Sequence, residues 1–496
     1  MFRKLSLITK SKENLLAILL FSVGLFFYLT KLDYHYFFTD EILYYQKGED
    51  MLVGIFDNTL QVPPLQKYIA GISYNMFNPD LYLMRLIFAF FGFSVSIVIF
   101  YIVKRELGIY YGILASFLYL FSKIIFDSSR MMMLEPVLHL TWVLFLYLFY
   151  NTLSRKDSKI FIISGIFLGL ALVTKVTSLL LILFVSVYFI KDLLNLRKES
   201  KKVFRLYFLM LSTALLVVFI FYLPQLYFSG ILNTLKDTVK DLIGVYFDKS
   251  VEGKLHVVNG NLYTISPWWF YFDAQFKNDG MFVTTFKYVF GIIALFSKNK
   301  FAYFWALVFI LSFSFHQFSG VKNVRYISTF EIPLIILSVY GFYYVFRSIN
   351  KKFNVIKIIL LIIIVSYSLI NVSVYLLNLK HTEYLGLFNY FKNETENFQI
   401  KKRIFVFGSI RTLKYYTKLL PEERFLTYKR EYNIYCPEFN EYSYFAFDKE
   451  ELIKNPENNL YLFVNTYIDN FEKVNEIEDM IVYKKIREFN YSEFCK

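Results

Sequence analysis

The chain has 496 residues, of which 56% are hydrophobic and 19% are charged, and its mean hydropathy is +0.43. Soluble domains average about 45–50% apolar and about 25% charged residues, so this composition excludes an ordinary soluble protein and indicates a polytopic membrane protein. The net charge of +14 raises nucleic-acid binding as an alternative, but residues 380–496 contain 18 Lys and Arg against 19 Asp and Glu. The basic excess therefore lies in the membrane part, where it sets topology, and no nucleic-acid partner is expected.

Apolar stretches of spanning length recur along the first 378 residues. A helix needs about twenty residues to cross the hydrocarbon core, and about eleven stretches approach that length. The stretches at 159–174 and 176–191 are short, which leaves one broken helix as an alternative for that pair. The predicted spans are residues 14–31, 82–103, 108–126, 133–153, 159–174, 176–191, 203–224, 282–297, 301–318, 326–346 and 355–378.

Basic residues precede the first span and then occupy every second connection between spans. Lys and Arg concentrate in cytoplasmic connections, so we expect the N-terminus to be cytoplasmic. The other connections, including the loops at 32–81 and 225–280, are then expected to face outward, together with everything after residue 378. The first apolar segment lacks a small-x-small cleavage pattern and is predicted to remain as an anchor in the cell membrane.

The tail at 379–496 has a different pattern from the transmembrane domain predicted for residues 1–378. Short apolar runs at Arg403–Phe407 and Leu460–Val464 are typical of strands, and helix-like stretches follow them, through Leu420 and over 469–479. This alternation predicts a small, soluble α/β domain on the outward side.

The two cysteines, Cys436 and Cys495, both lie in this tail. An oxidising compartment would allow them to form one disulfide, and the sequence leaves open whether they pair. Neither has metal-ligand spacing, and the five histidines form no His-x-x-x-His pair. A structural zinc site is therefore not expected.

A pair of carboxylates, Asp40-Glu41, follows the first span. It lies in a connection of about fifty residues, which is long for a mere link between two spans. Pro63-Pro64 fixes the chain direction further along and leads to Lys67. By itself, the acidic pair fits two solvated loop carboxylates as well as it fits an active site.

Other ionisable residues lie at the ends of spans. Arg130 and Glu135 flank the start of the fourth span, Lys175 separates two apolar segments, and Arg325 precedes the span that contains Pro333. Ionisable groups at membrane depth are costly and usually paired or functional. For Lys175, simple snorkelling of the ammonium to the interface is the alternative.

These residues, in this order, resemble the GT-C superfamily of membrane glycosyltransferases, and in particular its protein O-mannosyltransferase and aminoarabinose (lipid A) transferase branch. The resemblance covers residues 14–378 and extends to Pro267-Trp268-Trp269 in the second long loop. Two departures are Val62, where the mannosyltransferases commonly have His, and Glu135, where Asp is frequent. The tail does not match the β-trefoil of eukaryotic protein mannosyltransferases, so a protein acceptor is not assumed.

The resemblance implies the transfer of a single sugar from a polyprenyl phosphate, dolichyl or undecaprenyl, to a hydroxyl of a glycan, lipid or protein. The expected reaction is one inverting displacement on the outer membrane face. Asp40 is the expected general base, because a hydroxyl must lose its proton as it attacks, and Glu41 supports it. Arginine and lysine suit phosphate, and the expected donor-phosphate ligands are Lys67, Arg130, Lys175 and Arg325, with Glu135, Pro63 and Pro64 as supporting residues.

The expected partners are the lipid-linked sugar, the hydroxyl acceptor and membrane lipids. The displacement requires no nucleotide and the sequence establishes no cofactor; a divalent cation held by Asp40, Glu41 and Glu135 is left open, since hard cations prefer carboxylate oxygens. The alternative is a transporter or flippase of polyprenyl-linked sugars. Transporters tend to place charges in mid-span and to carry internal repeats, whereas these charges lie at span ends and no repeat is found, so the enzyme is favoured. The sugar, the acceptor, the polyprenyl length and the oligomeric state are not determined.

Overall fold

The computed structural model describes residues 2–34, 39–56, 63–78, 80–195, 199–229, 256–258, 261–263, 268–318, 322–348, 354–379, 403–407, 425–427, 442–448, 468–477 and 480–487. The chain divides into two compact units. The helical unit comprises Met1–Leu32 and Tyr44–Asn378, and the sheet unit comprises Asp33–Leu43 and Leu379–Lys496.

Helices dominate the first of these units. They are α1 (Phe2–Leu29), α2 (Thr39–Leu52, whose first residues belong to the sheet unit), α3 (Pro64–Phe77), α4 (Leu81–Leu107), α5 (Ile109–Leu120), α6 (Lys123–Ser128), α7 (Leu134–Arg155), α8 (Ser158–Leu172), α9 (Leu179–Asn195), α10 (Ser200–Ser229), α11 (Phe270–Asp279), α12 (Met281–Leu295), α13 (Lys300–Phe318), α14 (Ile327–Ser348) and α15 (Asn354–Asn378). Two short strands, β1 (His256–Val258) and β2 (Asn261–Tyr263), form an antiparallel hairpin between α10 and α11.

The predicted membrane spans correspond to helices. Among the described residues, seven helices are long and apolar enough to cross a membrane, and four shorter apolar helices account for the other predicted spans. The stretches at 159–174 and 176–191 form two separate helices, α8 and α9. Large apolar side chains such as Leu216, Phe219 and Ile359 are exposed on α10 and α15, which fits a surface in contact with lipid. The α-helical, multi-pass architecture is confirmed.

Local signals set several helix boundaries. The Asp80 carboxylate accepts a hydrogen bond from the Leu83 amide at 3.0 Å and caps the start of α4. Asp157 caps α8 in the same way, through the Lys159 amide at 2.9 Å. Gly108 separates α4 from α5 with φ = +97°, a conformation that glycine adopts without strain. These caps divide the apolar sequence into helices of defined length.

The long connection at 32–81 is largely helical, because α2 and α3 fold within it. Pro63 is the N-cap of α3 and Pro64 is its first residue, where a missing N–H costs nothing. The two helices cross at glycines: a Cβ on Gly48 would lie 2.1 Å from the Lys67 carbonyl oxygen and 2.6 Å from the Gly71 nitrogen. Only residues without side chains permit this backbone contact, which fixes the crossing close to Lys67.

The sheet unit contains five described strands, β3 (Arg403–Phe407), β4 (Phe425–Thr427), β5 (Tyr442–Asp448), β6 (Phe471–Ile477) and β7 (Met480–Lys485). Their order is β4-β3-β5-β7-β6, in which β3 is parallel to β4 and β5, and β7 is antiparallel to β5 and β6. The predicted strand at Arg403–Phe407 is confirmed. The predicted strand Leu460–Val464, the helix-like stretch through Leu420, Cys436 and Cys495 lie outside the described residues.

The helix predicted at 469–479 is wrong, because the chain there forms β6. Its charged pattern, including a Lys473–Glu476 pair, is compatible with a helix, but Phe471 and Ile477 pair with β7 instead. The Phe471 ring packs edge-on against Phe445 at 5.0 Å and against Tyr483 at 5.9 Å. Pairing and packing in the sheet thus override the local preference.

Candidate functional site

The centre of the site is a buried ion pair between Glu135 and Lys175. Glu135 is the second residue of α7, and Lys175 lies in the turn between α8 and α9. The Lys175 Nζ atom lies 3.0 Å from Glu135 Oε1, and the two side chains are 8% and 1% exposed. The structure therefore brings together two of the residues that the sequence analysis singled out, and it pairs Lys175 inside the helical unit.

Arg325 approaches this pair from a third element, the short 3-10 helix Val324–Tyr326 before α14. Its Nη1 atom lies 3.9 Å from the sulfur of Met133, two residues before Glu135. The Glu135 carboxylate is within Coulombic reach of both Arg325 and Lys175. Two cations and one carboxylate thus lie together, and arginine and lysine suit an anionic ligand such as a phosphate.

Aromatic rings line the same region. The Lys175 Nζ atom lies 4.7 Å from the centroid of the Tyr326 ring, in cation–π geometry. The His316 ring stacks on Tyr326 with centroids 5.1 Å apart and an interplanar angle of 24°. His316 is fully buried, yet neither of its ring nitrogens has a hydrogen-bond partner within the described residues.

Further polar atoms beside the ion pair also lack partners among the described residues. They are the second carboxylate oxygen of Glu135 and the hydroxyl of Thr177, both buried. Buried polar groups are hydrogen-bonded in the great majority of cases. Their concentration around Lys175 indicates a place that a polar ligand would complete.

Lys67 lies in the first turns of α3 and is 3% exposed. The Leu65 amide donates a 3.0 Å hydrogen bond to the carbonyl of Val173, two residues before Lys175. The Gln66 side chain donates to the Met132 carbonyl at 3.3 Å, three residues before Glu135. The positive end of the α3 dipole is therefore held against both chain segments that carry the ion pair.

Arg130 occupies a different position. Its Nε atom donates to the Tyr28 carbonyl at 3.0 Å and Nη2 donates to the Thr30 carbonyl, both at the end of α1. The guanidinium carbon lies 4.5 Å from the centroid of the Phe126 ring. Burial lowers the pKa of Arg130 to about 10, so the group is charged at neutral pH. In these contacts Arg130 caps the C-terminal end of α1. Its contact with the donor phosphate stays a prediction.

Asp40 and Glu41 lie in the first turn of α2, in the part of that helix that belongs to the sheet unit. Asp40 is partly buried and Glu41 is fully buried. Carboxylates in a first helical turn interact favourably with the helix dipole. The base and supporting roles of this pair stay predictions.

The sequence analysis missed a second buried polar cluster, made of Ser122, Asp279, Lys287 and Glu331. The Lys287 ammonium bonds Asp279 Oδ2 at 2.5 Å and also bonds Glu331 Oε1. The Ser122 hydroxyl lies 2.9 Å from Glu331 Oε1 and 3.0 Å from Asp279 Oδ2. A signal was present, because Lys287 and Glu331 are ionisable residues inside predicted spans.

Metal binding finds no further support in the part of the chain that the structure describes. No group of three or more His, Cys, Asp and Glu side chains there is arranged to hold a metal ion. One oxygen of Glu135 is already bonded to the Lys175 ammonium.

A protein-family model matches part of the chain. Residues 61–228 match the family model described as dolichyl-phosphate-mannose-protein mannosyltransferase, a stretch that includes Lys67, Glu135 and Lys175. In the search of curated proteins, no sequence matches the chain.

Several solved structures share the fold, among them the following two. ArnT from Cupriavidus metallidurans, bound to undecaprenyl phosphate, superposes with a TM-score of 0.62 at 13% identity, over 94% of this chain and 97% of that one. The oligosaccharyltransferase AglB from Archaeoglobus fulgidus, in complex with an inhibitory peptide and a dolichol-phosphate, gives a TM-score of 0.55 at 11% identity, over 87% of this chain and 69% of that one.

The chain therefore shares the fold of ArnT and AglB, and part of it matches the mannosyltransferase family model, so the resemblance noted from the sequence is confirmed. At these identities the structural likeness is one of fold, and the family match adds the mannosyltransferase-like signature over about a third of the chain.

Proposed function

We propose that the protein transfers a single sugar from a polyprenyl phosphate to a hydroxyl acceptor. The observation that carries this proposal is the cluster in which Lys175 and Arg325 lie beside Glu135, in a fold similar to that of ArnT bound to undecaprenyl phosphate. The two cations, the buried ion pair and the polar atoms without partners among the described residues all suit the phosphate and sugar of such a donor.

On the donor side, Lys175 and Arg325 stabilise the charge that develops on the departing phosphate. Preorganised cations in a site that excludes water are effective in this role, because no solvent has to reorganise. Glu135 holds the Lys175 ammonium in place and compensates its buried charge. Lys67, on the helix fastened to both segments, is the third cation of the proposal.

On the acceptor side, Asp40 acts as general base and Glu41 supports it. The acceptor oxygen attacks the anomeric carbon while the bond from that carbon to the phosphate oxygen breaks. The bonding electrons leave with the polyprenyl phosphate, and the hydroxyl proton passes to the Asp40 carboxylate. A single displacement of this kind inverts the configuration at the anomeric carbon.

The proposal places this chemistry on the outer membrane face, with the N-terminus in the cytoplasm and the sheet unit outside. Apolar helices hold the polyprenyl chain of the donor, and the acceptor hydroxyl belongs to a glycan, a lipid or a protein. The divalent cation that the sequence leaves open is tested separately, by activity with and without a chelator.

The test is transfer of radiolabelled sugar from polyprenyl phosphate in proteoliposomes. Asp40→Asn should abolish transfer while the protein level in the membrane is unchanged. Asp50→Asn is the matched control, since Asp50 lies near the other end of the same helix, and it should retain wild-type activity. Full activity of Asp40→Asn would remove Asp40 from the base role. Movement of the labelled lipid across the bilayer without transfer would support the flippase instead.

A further inference from the structure

His139 connects the ion pair to the segment that carries Arg325. It lies in α7 one turn after Glu135, on the same face of the helix. Its Nε2 atom is 2.9 Å from the hydroxyl oxygen of Ser328, in the first turn of α14. The Ser328 hydroxyl in turn donates a 2.6 Å hydrogen bond to the carbonyl oxygen of Arg325. A continuous chain of hydrogen bonds thus leads from α7 to the backbone of Arg325.

The direction of these bonds determines the tautomer of His139. A serine hydroxyl has one hydrogen, and Ser328 gives it to the Arg325 carbonyl. The oxygen of Ser328 must therefore accept from His139, which requires the hydrogen on Nε2. The Nδ1 atom of the neutral imidazole is then an acceptor, and it is buried without a partner among the described residues.

We propose that His139 is a positioning residue for Arg325, acting through Ser328 as the Nε2–H tautomer. The two hydrogen bonds hold the backbone of Arg325 to α7, the helix that also carries Glu135. This inference rests on the proposed function only in assigning Arg325 to the donor phosphate.

Binding of undecaprenyl phosphate to the purified protein in nanodiscs tests the role. His139→Leu and Ser328→Ala should each weaken binding about tenfold, and the double variant should lose no more than either, because both changes break one chain. His139→Gln keeps an N–H near the position of Nε2 and should restore binding to within about threefold of the wild-type affinity.

The matched control is Ser338→Ala. Ser338 is buried in the same helix as Ser328, and its hydroxyl donates to the Ile335 carbonyl in the same way. Removing this hydroxyl should leave binding unchanged. Additive losses, or an equal loss in the control, would overturn the positioning role.

Solid-state NMR of the ¹⁵N-histidine-labelled protein tests the tautomer independently of activity. The chain has five histidines, so the signal missing in His139→Gln identifies His139. We expect a neutral imidazole protonated at Nε2. A proton on Nδ1 would overturn the inference. If the wild-type protein failed to bind the lipid while the NMR result held, the proposed function alone would fall.

Discussion

The ammonium of Lys175 and the carboxylate of Glu135 form an ion pair at 3.0 Å in which both side chains are almost fully buried. Removing one partner of such a pair leaves an uncompensated charge, which typically costs about 3–5 kcal/mol. We therefore expect Lys175→Met to lower the free energy of unfolding by that amount, measured by equilibrium unfolding in detergent. Lys202→Met is the control, because the Lys202–Glu199 pair is exposed and should contribute less than about 1 kcal/mol.

The double variant Lys175→Met/Glu135→Gln distinguishes the contribution of Lys175 to stability from its contribution to donor binding. With both charges removed, most of the lost stability should return. The affinity for polyprenyl phosphate should stay low, because the phosphate has lost a cation. Recovery of both properties in the double variant would show that Lys175 only balances Glu135 and does not contact the donor.

Arg130 gives a prediction that distinguishes its observed contacts from the phosphate contact expected from the sequence. Its two hydrogen bonds to the end of α1 involve a charged donor, and such bonds contribute about 1.5–3 kcal/mol each. Arg130→Ala should therefore destabilise the protein by about 3 kcal/mol, whereas Arg205→Ala, at an exposed position of α10, should have little effect. The free energy of unfolding and the donor affinity are both measured for each variant. If Arg130→Ala lowered the affinity but left the stability unchanged, Arg130 would contact the donor phosphate.

The transmembrane architecture was predictable because an apolar run of about twenty residues forces a spanning helix whatever its neighbours are. Glu135, Lys175 and Arg325 were also found, since ionisable residues at span ends stand out from their apolar surroundings. Their pairing was not predictable, because it depends on how the turn at Lys175 packs against α7. The strand β6 was missed for a similar reason, since its partner β7 and the Phe445 ring decide its conformation.

The crossing of α2 and α3 predicts an unusual sensitivity to a single methyl group. A Cβ on Gly71 would lie 2.5 Å from the Gly48 carbonyl carbon, so Gly71→Ala should push the helices apart and cost several kcal/mol, although alanine is by itself about 1 kcal/mol better than glycine in a helix. At Gly291, in α12, the Cβ would meet only the end of the Leu334 side chain, at 3.0 Å. Gly291→Ala should therefore be neutral or stabilising, and equilibrium unfolding of both variants in detergent measures the difference. Equal tolerance at both positions would contradict the crossing.

The last prediction concerns the buried cluster around Lys287. One ammonium bonds two carboxylates, those of Asp279 and Glu331, and all three side chains are at most 1% exposed. Lys287→Met would leave two acids together in an apolar interior, and we expect it to lower the free energy of unfolding by about 3–5 kcal/mol. The isosteric triple variant with Asp279→Asn and Glu331→Gln should recover most of that loss, since it leaves no buried charge.

Lys277→Met is the matched control for Lys287, because Lys277 pairs with Asp273 at 2.8 Å on the neighbouring helix α11 but is 65% exposed. Solvent screens such a pair, and its loss should cost less than about 1 kcal/mol. Glu331 lies one turn after Ser328 in α14, so a displaced Glu331 should also move the segment that carries Arg325. If Lys287→Met lowered stability but the donor affinity of the folded fraction stayed at the wild-type value, the cluster would stabilise the bundle without helping to place the site.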